Sequence, residues 1–378
     1  MEFAGSHSLK PNKKIYVICG ENSGDNILSL IVERLQAEYA GCEIRGVTGP
    51  KLEKLNVKSL FSIYKIAVMG FFEVLPKIFE ILKLIKFTAN DIAKFNPDLI
   101  ITVDSPDFCF RVIKNVRTNY PDLKAKIVHI VAPSVWAYRE NRAEKVAKLY
   151  DHLLCFLPFE PPYFTKHGMK ADFIGHPIVE NLLKYKQNHV RDKNILLAMP
   201  GSRLGEVKRH WQVFIRVFKK LKKDNPDLKI KVPIPERLKE YLEKNTPKNL
   251  DIKFVINEQE KFDLYNKAGL GIIKSGTSAL EAAVFNCPMV VVYKVNKLTA
   301  FLAKRMLKIK TFTLINIVAD QDIIKELIQE NFTADNLYKE AVNILNSDKI
   351  IDYSEYINKL KTDNSSIENA MNIFRGYL

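Results

Sequence analysis

The sequence predicts an α/β protein made of two doubly wound domains, each a mainly parallel sheet covered by helices. Three observations indicate this fold: β-rich runs alternate with helical patterns, the runs are apolar almost throughout, and a polar stretch interrupts the alternation near the middle of the chain. Such alternation is typical of βαβ units, and strands buried on both faces have continuous apolar sequences. The length of 378 residues also fits two domains of ordinary size.

The first half of the chain begins with a strand, a turn and a helix. The strand is predicted at 14–20, the turn at 21–25, and the helix extends to about residue 39. The later strands of this half share near-continuous hydrophobicity and are predicted at 43–47, 99–104, 126–131 and 152–157. Residues 183–194 are polar and follow no pattern, so we interpret them as a linker.

The second half repeats the alternation. Its predicted strands, each followed by a helical or turn segment, are 195–199, 229–233, 252–256, 270–273 and 289–293. From residue 320 onward the pattern is mostly helical, and no further strong strand is predicted. The two halves therefore have the same α/β character.

These patterns divide the chain into four segments. They are a disordered N-terminal extension, two Rossmann-like domains, and a helical tail that packs back on the first domain, at 1–13, 14–185, 186–345 and 346–378 respectively. Open α/β sheets bind ligands outside the carboxyl ends of their strands, so we expect a ligand cleft between the domains. The first dozen residues lack the apolar core of a secretory signal. No apolar stretch reaches the ~18 residues needed to span a bilayer.

The chain is basic, with 58 Lys and Arg against 43 Asp and Glu, a formal net charge of +15 at pH 7. This charge favours anionic partners: nucleic acid, phosphorylated substrates or an acidic membrane surface. Nucleic-acid binding would need aromatic residues interleaved with Lys and Arg on a sheet or recognition helix, and the sequence has no such arrangement. The five cysteines are widely spaced without a C-x-x-C pair, which favours buried reduced thiols over a metal site.

Two turns of the first half follow predicted strands. Residues 20–25 match neither G-x-G-x-x-G nor a P-loop, which argues against dinucleotide and ATP sites. This turn either cradles an anion or a sugar hydroxyl, or is a plain helix start with Ser23 or Asp25 as N-cap. Asp104 ends an apolar strand, where its carboxylate faces the expected cleft as a candidate general base. Asp107 fits an N-cap or a first-turn acid favoured by the helix dipole.

The second half contains a matched pair of turns after strands, at 200–203 and 274–278. Their small residues let backbone N–H groups at a helix start approach phosphate oxygens, and Arg203 could contact the same anion. Glu206 and Glu281 lie one turn into the following helices, where each either caps its helix or accepts hydrogen bonds from ribose hydroxyls. Two such turns in one domain predict a nucleotide-diphosphate site.

Two segments, 68–87 and 298–310, combine apolar residues with lysines. The apolar surface of 68–87 is wider than one core-facing stripe, and 298–310 interleaves apolar residues with Lys and Arg and contains no acid. Together these features favour peripheral contact with an anionic membrane. The residues expected to make this membrane or acyl contact are Phe71, Phe72, Lys304 and Arg305. The alternative is that both are core-packed helices with solvated lysines.

Several sequence blocks occur in one order along the chain. They are GENSGD at 20–25, AVMGFFEVL at 67–75, DSPDF at 104–108, PSVWAYR at 133–139, LPFE at 157–160, FIGHP at 173–177, PGSR at 200–203 and SGTSALE at 275–281. With these blocks the chain, from about residue 14 to 345, resembles lipid-A-disaccharide synthases, which are inverting glycosyltransferases of the two-domain GT-B architecture. The PSVWA and PFE blocks are specific to this family among GT-B enzymes.

This resemblance implies a function in the biosynthesis of the lipid A part of lipopolysaccharide. The implied donor is UDP-2,3-diacylglucosamine and the implied acceptor is 2,3-diacylglucosamine-1-phosphate. The products would be the β-1,6-linked disaccharide 1-phosphate and UDP. No cofactor, metal or nucleic acid is implied. The expected location is the cytoplasm, peripherally on the cytoplasmic face of the inner membrane.

The resemblance also implies roles for individual residues. Asp104 and Glu21 would be catalytic. The residues that fall on UDP-sugar-binding motifs are Ser202, Arg203, Glu206, Ser275, Gly276, Thr277, Glu281 and Asn316. Two positions depart from the family pattern: Ile315 stands where Pro is usual, and the further Gly common near Ser29 is absent.

Two other functions share some of these features. A GT-B-type sugar-nucleotide epimerase would have the same UDP turns but would need no lipid-facing helix. A non-catalytic membrane-surface scaffold would keep the fold and the basic helices without turnover. An assay of UDP release from the two diacylated substrates separates all three.

Overall fold

The computed structural model describes residues 12–66 and 78–378. The chain divides into two compact units. The first comprises the chain up to Pro177 together with Thr362–Leu378, and the second comprises Ile178–Lys361. Within the described residues each unit contains one six-stranded sheet in which every pairing is parallel. The prediction of two doubly wound α/β domains is therefore confirmed.

The sheet of the first unit has the strand order β2-β1-β3-β4-β5-β6. Its strands are β1 Lys14–Cys19, β2 Glu43–Val47, β3 Leu99–Val103, β4 Lys126–Ile130, β5 His152–Cys155 and β6 Lys170–Phe173. The central strand β3 is buried throughout, as expected for a strand covered on both faces. The sequence did not predict β6, a four-residue edge strand with only Ala171 buried.

The described helices of the first unit connect these strands. In chain order they are α1 Asn22–Glu38, α2 Pro50–Lys54, α3 Ile78–Phe95, α4 Pro106–Asn119, α5 Arg142–Ala147 and α6 Pro161–Thr165. Helices α1 and α4 each start within three residues of the end of a central strand. Their N-termini therefore lie at the carboxyl edge of the sheet.

The predicted helix 68–87 is described only from Ile78 onward, as α3. The predicted contacts at Phe71 and Phe72 lie outside the described residues. Within α3, Ile85, Ala89, Ile92 and Phe95 face the core, whereas the first turns carry Phe79, which is 78% exposed. Among the described helices, none is long and apolar enough to cross a membrane.

The sheet of the second unit has the order β12-β11-β10-β7-β8-β9. Its strands are β7 Asp192–Met199, β8 Lys229–Pro233, β9 Ile252–Val255, β10 Ala268–Lys274, β11 Met289–Tyr293 and β12 Lys325–Ile328. The sequence did not predict β12, because only Leu327 of its four residues is buried at the sheet edge.

The helices of the second unit cover both faces of this sheet. They are α7 Pro177–Leu183, α8 Leu204–Asp224, α9 Lys239–Lys244, α10 Glu258–Lys267, α11 Thr277–Val284, α12 Lys297–Met306, α13 Leu314–Ala319, α14 Ala334–Asn346 and α15 Ser354–Asn358. The longest, α8, buries Trp211, Phe214 and Phe218 against the sheet. This aromatic cluster anchors the helix that follows the first turn of the unit.

The last helix, α16 at Ser366–Arg375, belongs to the first unit. Its residues Ala370, Met371 and Phe374 are fully buried in the core of that unit. Arg375 adds an ion pair to Glu38 of α1, with Nε 2.9 Å from Oε2. The chain therefore returns to its first unit before it ends.

In each sheet, successive strands along the chain extend the sheet first to one side and then to the other. This reversal of strand order lies between β1 and β3 in the first unit and between β7 and β10 in the second. The strands on either side of each reversal end level with one another, since Cys19 lies opposite Val103 and Met199 lies opposite Ile273. In open α/β sheets this reversal is where ligands bind. The turns singled out in the sequence leave the sheets at these two points.

Candidate active site

In the first unit, the turn after β1 packs tightly against the turn after β3. A Cβ atom placed on Gly20 would lie 2.0 Å from Ser105 Oγ, so position 20 accommodates only glycine. Asp104 and Ser105 both adopt left-handed backbone conformations, with φ of 54° and 43°. Two consecutive non-glycine residues in this region are strained, and strain of this kind is concentrated at functional sites.

The carboxylate of Asp104 is half-buried and held by hydrogen bonds on both oxygens. Ser23 Oγ donates to Oδ2 at 3.1 Å, and the backbone N–H of Ser105 donates to Oδ1 at 2.8 Å. The backbone N–H of Asp104 donates to the carbonyl of Ile130 on β4. The strained turn therefore presents an oriented carboxylate at the carboxyl end of β3.

The start of helix α1 differs from the plain-turn alternative. Glu21, and neither Ser23 nor Asp25, occupies the N-cap position, and its side chain makes no capping hydrogen bond. Asp25 is buried and accepts hydrogen bonds from the N–H groups of Gly49 and Lys51, at 2.9 and 2.7 Å. Asp25 therefore caps α2, and Glu21 is the acid at the turn itself.

Asp107 lies in the first turn of α4, so the first-turn alternative is correct and Ser105 takes the N-cap position. Its side chain is 88% exposed and pairs with Arg142 at 2.8 Å. An exposed pair of this kind contributes little to stability. Asp107 therefore has no contact with the Asp104 carboxylate among those described and serves as its natural control.

The two sequence blocks most specific to the resemblance meet in the first unit. Trp136 Nε1 donates to Glu160 Oε1 at 3.2 Å, and the N–H of Leu157 donates to Oε2 at 3.1 Å. Burial raises the pKa of Glu160 to about 7, although these hydrogen bonds act in the opposite direction. The Trp136 ring also packs edge-on against Phe159 at 5.4 Å. The sequence showed both blocks but not that they bind each other.

In the second unit, both turns depend on glycines with positive φ. Gly201 has φ of 126° and Gly276 has φ of 139°, conformations that side-chain-bearing residues rarely adopt. A Cβ on Gly201 would also lie 2.8 Å from Glu206 Oε2. These turns expose backbone at the starts of α8 and α11, and Ser202 and Thr277 lie in the same segments.

Glu206 joins the two turns electrostatically. Its carboxylate is buried and lies 3.2 Å from Lys274 Nζ and 3.3 Å from Arg203 Nη1. Burial opposes its ionisation, but the two cations outweigh burial and lower its pKa below the ordinary value. Glu206 therefore holds cations and does not cap α8. The sequence analysis included Lys274 in the turn 274–278 but gave it no role, although a cation that ends a buried strand before a Ser-Gly turn was a signal for one.

The sequence analysis missed His210 on α8. Its Nδ1 lies 2.7 Å from the carbonyl of Pro200, and its Nε2 lies 3.2 Å from the backbone nitrogen of Lys294. Burial lowers the pKa of His210, so the imidazole is neutral, donating to Pro200 and accepting from Lys294. His210 therefore ties the turn after β7 to the segment after β11.

Glu281, Ser275 and Asn316 lie further around the second turn. Glu281 Oε2 accepts from Tyr265 Oη at 2.8 Å and pairs with Lys261 at 3.2 Å, so it does not cap α11. Ser275 Oγ donates to the carbonyl of Phe312 at 3.4 Å.

Asn316 on α13 is fully buried, and its amide group binds the loop that follows the helix and the strand β12 beyond it. Its Nδ2 donates to the carbonyl of Ile324 at 2.8 Å, and its Oδ1 accepts from the N–H of the same residue at 2.8 Å. Nδ2 also lies 3.2 Å from Glu326 Oε1. These contacts hold the loop that precedes β12 in place.

Lys304 and Arg305 lie on α12 with exposed apolar neighbours. Lys304 pairs with Glu330 at 2.5 Å, and the Arg305 guanidinium lies 4.3 Å from the centre of the Phe301 ring. Leu298 is 58% exposed and Phe301 is 52% exposed. Over residues 12–66 and 78–378, no three His, Cys, Asp or Glu side chains cluster as metal ligands would.

The two doubly wound units define a fold class, the GT-B-like architecture. MurG from Acinetobacter baumannii superimposes with a TM-score of 0.58, covering 97% of this chain and 99% of that chain at 14% identity. UDP-GlcNAc 2-epimerase from Methanocaldococcus jannaschii, in complex with UDP-GlcNAc and UDP, superimposes with a TM-score of 0.61. The match covers 96% of this chain and 99% of that chain at 16% identity. At these identities the likeness is one of fold alone.

The sequence comparisons are more specific. The family described as lipid-A-disaccharide synthetase matches residues 15–374. The lipid-A-disaccharide synthase of Rickettsia typhi is 40% identical over 362 residues, 92% of this chain and 94% of that protein. The lipid-A-disaccharide synthase of Rickettsia bellii is 42% identical over 365 residues, which cover 91% of this chain and 93% of that protein. The chain belongs to the lipid-A-disaccharide synthase family, and its function is the glycosyl transfer that makes the lipid A disaccharide.

Proposed function

We propose that this enzyme transfers diacylglucosamine from UDP-2,3-diacylglucosamine to 2,3-diacylglucosamine-1-phosphate with inversion at the anomeric carbon. The products are the β-1,6-linked disaccharide 1-phosphate and UDP. The observation that carries the proposal is the fixed orientation of the Asp104 carboxylate. Asp104 lies in a strained turn at the point where the strand order of the first sheet reverses. Family membership supplies the class of substrates.

Asp104 is the proposed general base. It accepts the proton of the acceptor hydroxyl as that oxygen forms a bond to the anomeric carbon of the donor and the bond from that carbon to the diphosphate breaks. Attack on the face opposite the leaving group gives inversion. Hydrogen bonds from Ser23 and Ser105 hold the carboxylate in one orientation, which positions the base before the reaction begins. Glu21, in the adjacent turn after β1, is the second residue of this unit that we propose to be catalytic.

The second unit is the proposed site of UDP. Arg203 and Lys274 supply positive charge for the leaving diphosphate, and the turns at Gly201 and Gly276 expose backbone N–H groups at helix starts. Glu206 holds these two cations in position. Fixed charge of this kind stabilises a leaving diphosphate because it does not have to reorganise during the reaction.

Other residues complete the proposed nucleotide site. Ser202, Ser275 and Thr277 supply hydroxyl groups within the same turns. Glu281 and Asn316 contribute by holding the surrounding segments, through Tyr265 and Ile324 respectively.

The proposed location is the cytoplasmic face of an anionic membrane, to which the enzyme binds peripherally. The support is the net charge of +15 together with exposed apolar residues on α3 and α12, including Phe79, Leu298 and Phe301. Acylated substrates reside in such a surface, so an enzyme that binds there gains access to both.

Release of UDP from the two diacylated substrates tests the proposal. The expected result is release that requires both substrates and yields a product whose new linkage is β by NMR. Omission of the acceptor is the control that separates transfer from epimerisation, because an epimerase converts the sugar nucleotide alone. A linkage of retained configuration would contradict inversion, and absence of turnover with both substrates would contradict the substrate assignment.

A further inference from the structure

A cavity of about 550 Å³ lies in the second unit between α12 and the ends of β11 and β12. Its volume is in the range of small-molecule binding sites. Its walls are largely apolar, and the apolar side chains among them are Val295, Ala300, Leu307, Ile309, Phe312 and Ile328. A ligand that fits these walls is apolar over most of its length.

The polar residues that line the cavity are the uncharged Thr299, Gln329 and Asn331 and one pair of opposite charges, beside the Tyr293 hydroxyl. Lys304 and Glu330 line it and pair with each other at 2.5 Å, and both side chains are 67% exposed. The pair is therefore hydrated and presents no unmatched charge to the interior. The cavity lining favours a hydrocarbon over an ionic ligand.

The cavity adjoins the turn after β10 through two wall residues. Phe312 accepts a hydrogen bond from Ser275 Oγ at 3.4 Å through its carbonyl. The Tyr293 ring lies 5.3 Å from Lys274 Nζ, which stands over its face. The last residue of β10 and the first residue of the turn therefore each contact a wall of the cavity.

Helix α12 contributes to the cavity wall but also carries exposed apolar residues outside it. Ala300 and Lys304 of α12, four residues apart, line the cavity, as does Leu307 immediately after the helix. Leu298 and Phe301 are more than half exposed and are not among the lining residues. Because the exposed apolar residues are not those of the wall, the apolar wall requires an explanation separate from membrane contact.

We propose that this cavity binds one acyl chain of the diacylated sugar nucleotide and thereby sets the chain length that the enzyme prefers. The inference rests on the proposed function, in which the diphosphate of this donor lies at the turn after β10. A sugar attached to that diphosphate carries its acyl chains within reach of Phe312 and Tyr293. Each methylene buried in the cavity raises donor affinity about fourfold, the equivalent of about 0.8 kcal/mol.

A series of UDP-diacylglucosamines that differ by two carbons in their acyl chains tests the proposal, with donor KM measured without vesicles. Wild-type enzyme should show an optimum length, with KM rising by about tenfold or more for each two-carbon shortening. Ala300→Phe reduces the cavity and should move the optimum to shorter chains. Leu307→Ala enlarges the cavity and should move the optimum to longer chains.

Opposite shifts from two substitutions in one cavity distinguish chain binding from damage to the fold, which would raise KM at every length. Ile256→Ala, at an exposed apolar residue after β9 that lines no part of the cavity, is the matched control and should keep the wild-type optimum. UDP affinity by calorimetry should be equal in all four proteins. Identical optima in wild type, Ala300→Phe and Leu307→Ala would overturn the cavity proposal. Wild-type enzyme that releases no UDP from any donor would instead overturn the proposed function.

Discussion

The two units place their functional turns at the same topological position but surround them with opposite charge. In the first unit the reversal between β1 and β3 presents two acids, Glu21 in the turn after β1 and Asp104 in the strained turn after β3. In the second, the reversal between β7 and β10 presents Arg203 and Lys274 around one buried acid, Glu206. The comparison shows that one architecture can carry acids at the reversal of one sheet and paired cations at the reversal of the other.

The buried acids of the two units differ in the same way. Glu160 is held by neutral donors, so burial prevails and its pKa rises to about 7. Glu206 is held by two cations, so its pKa is lowered despite burial. The partners of a buried carboxylate, more than its burial, determine whether it is charged at neutral pH.

The largest expected effect tests the acidic turn. Asp104→Asn keeps the size of the side chain but removes its basicity, so turnover should fall by ~10²-fold or more, the scale of general base catalysis. UDP affinity should change little, because the proposed UDP residues lie in the other unit. Steady-state UDP release and calorimetry measure the two quantities. Asp107→Asn is the control and should keep near-normal turnover; near-normal turnover in Asp104→Asn as well would exclude Asp104 as the base.

The next prediction concerns the acid with the raised pKa. Glu160 takes up a proton on folding between its ordinary pKa of 4.5 and about 7, so its contribution to stability is present at low pH and lost as pH rises. Over that window the loss approaches ~3 kcal/mol. The free energy of unfolding of wild type minus that of Glu160→Gln, measured in denaturant from pH 5 to 8, should therefore fall as pH rises.

Four buried histidines set the background for that measurement, because burial lowers the pKa of His129, His152, His176 and His210. Burial lowers the pKa of His129 to about 3 and of His176 to about 4, so each weakens the fold as pH falls below 6.5. Because both proteins contain these histidines, subtraction of the two curves removes their effect. A difference that stays flat with pH would show that Glu160 ionises normally.

The next prediction tests the proposed UDP site through Arg203, the more exposed of its two cations. Arg203→Ala should weaken UDP binding by ~1.5–3 kcal/mol, the contribution of hydrogen bonds to a charged group. Calorimetry with UDP is the measurement. Lys208→Ala, on the outward side of the same helix α8, removes an equal charge and should have little effect. Equal UDP affinity in wild type and Arg203→Ala would place the diphosphate elsewhere.

The smallest effect concerns the membrane surface of the second unit. Wild-type protein should sediment with vesicles that contain anionic lipid at low salt, and Arg305→Glu should weaken this by ~1 kcal/mol or more. The effect should disappear near 1 M salt, where the Debye length is ~3 Å. Lys304→Glu should matter less, because Glu330 already neutralises Lys304.

Lys248→Glu is the charge-matched control for that measurement, since it reverses an exposed lysine in the loop before β9. Its effect should be smaller than that of Arg305→Glu. If wild-type protein does not sediment with anionic vesicles at low salt, the membrane proposal is contradicted.

The sequence by itself determined the strands that are buried on both faces, such as β3 and β10, because a continuous apolar run has few other ways to fold. It also located the turns proposed to carry the site, since Gly201, Gly276 and Asp104 follow such strands closely. It did not reveal the edge strands β6 and β12. Each of these strands has four residues, of which only one is buried. At an edge, pairing with a neighbour decides the strand, and the neighbour is distant in sequence.

Only the tertiary structure decided which side chains meet at the turns. Glu206 and Glu281 were ambiguous in sequence, and their partners Lys274 and Tyr265 come from other elements. The contact of Trp136 with Glu160 likewise joins blocks 24 residues apart. Local pattern reports burial and backbone conformation, whereas hydrogen bonds and ion pairs depend on distances that exist only once the sheet has brought its strands together.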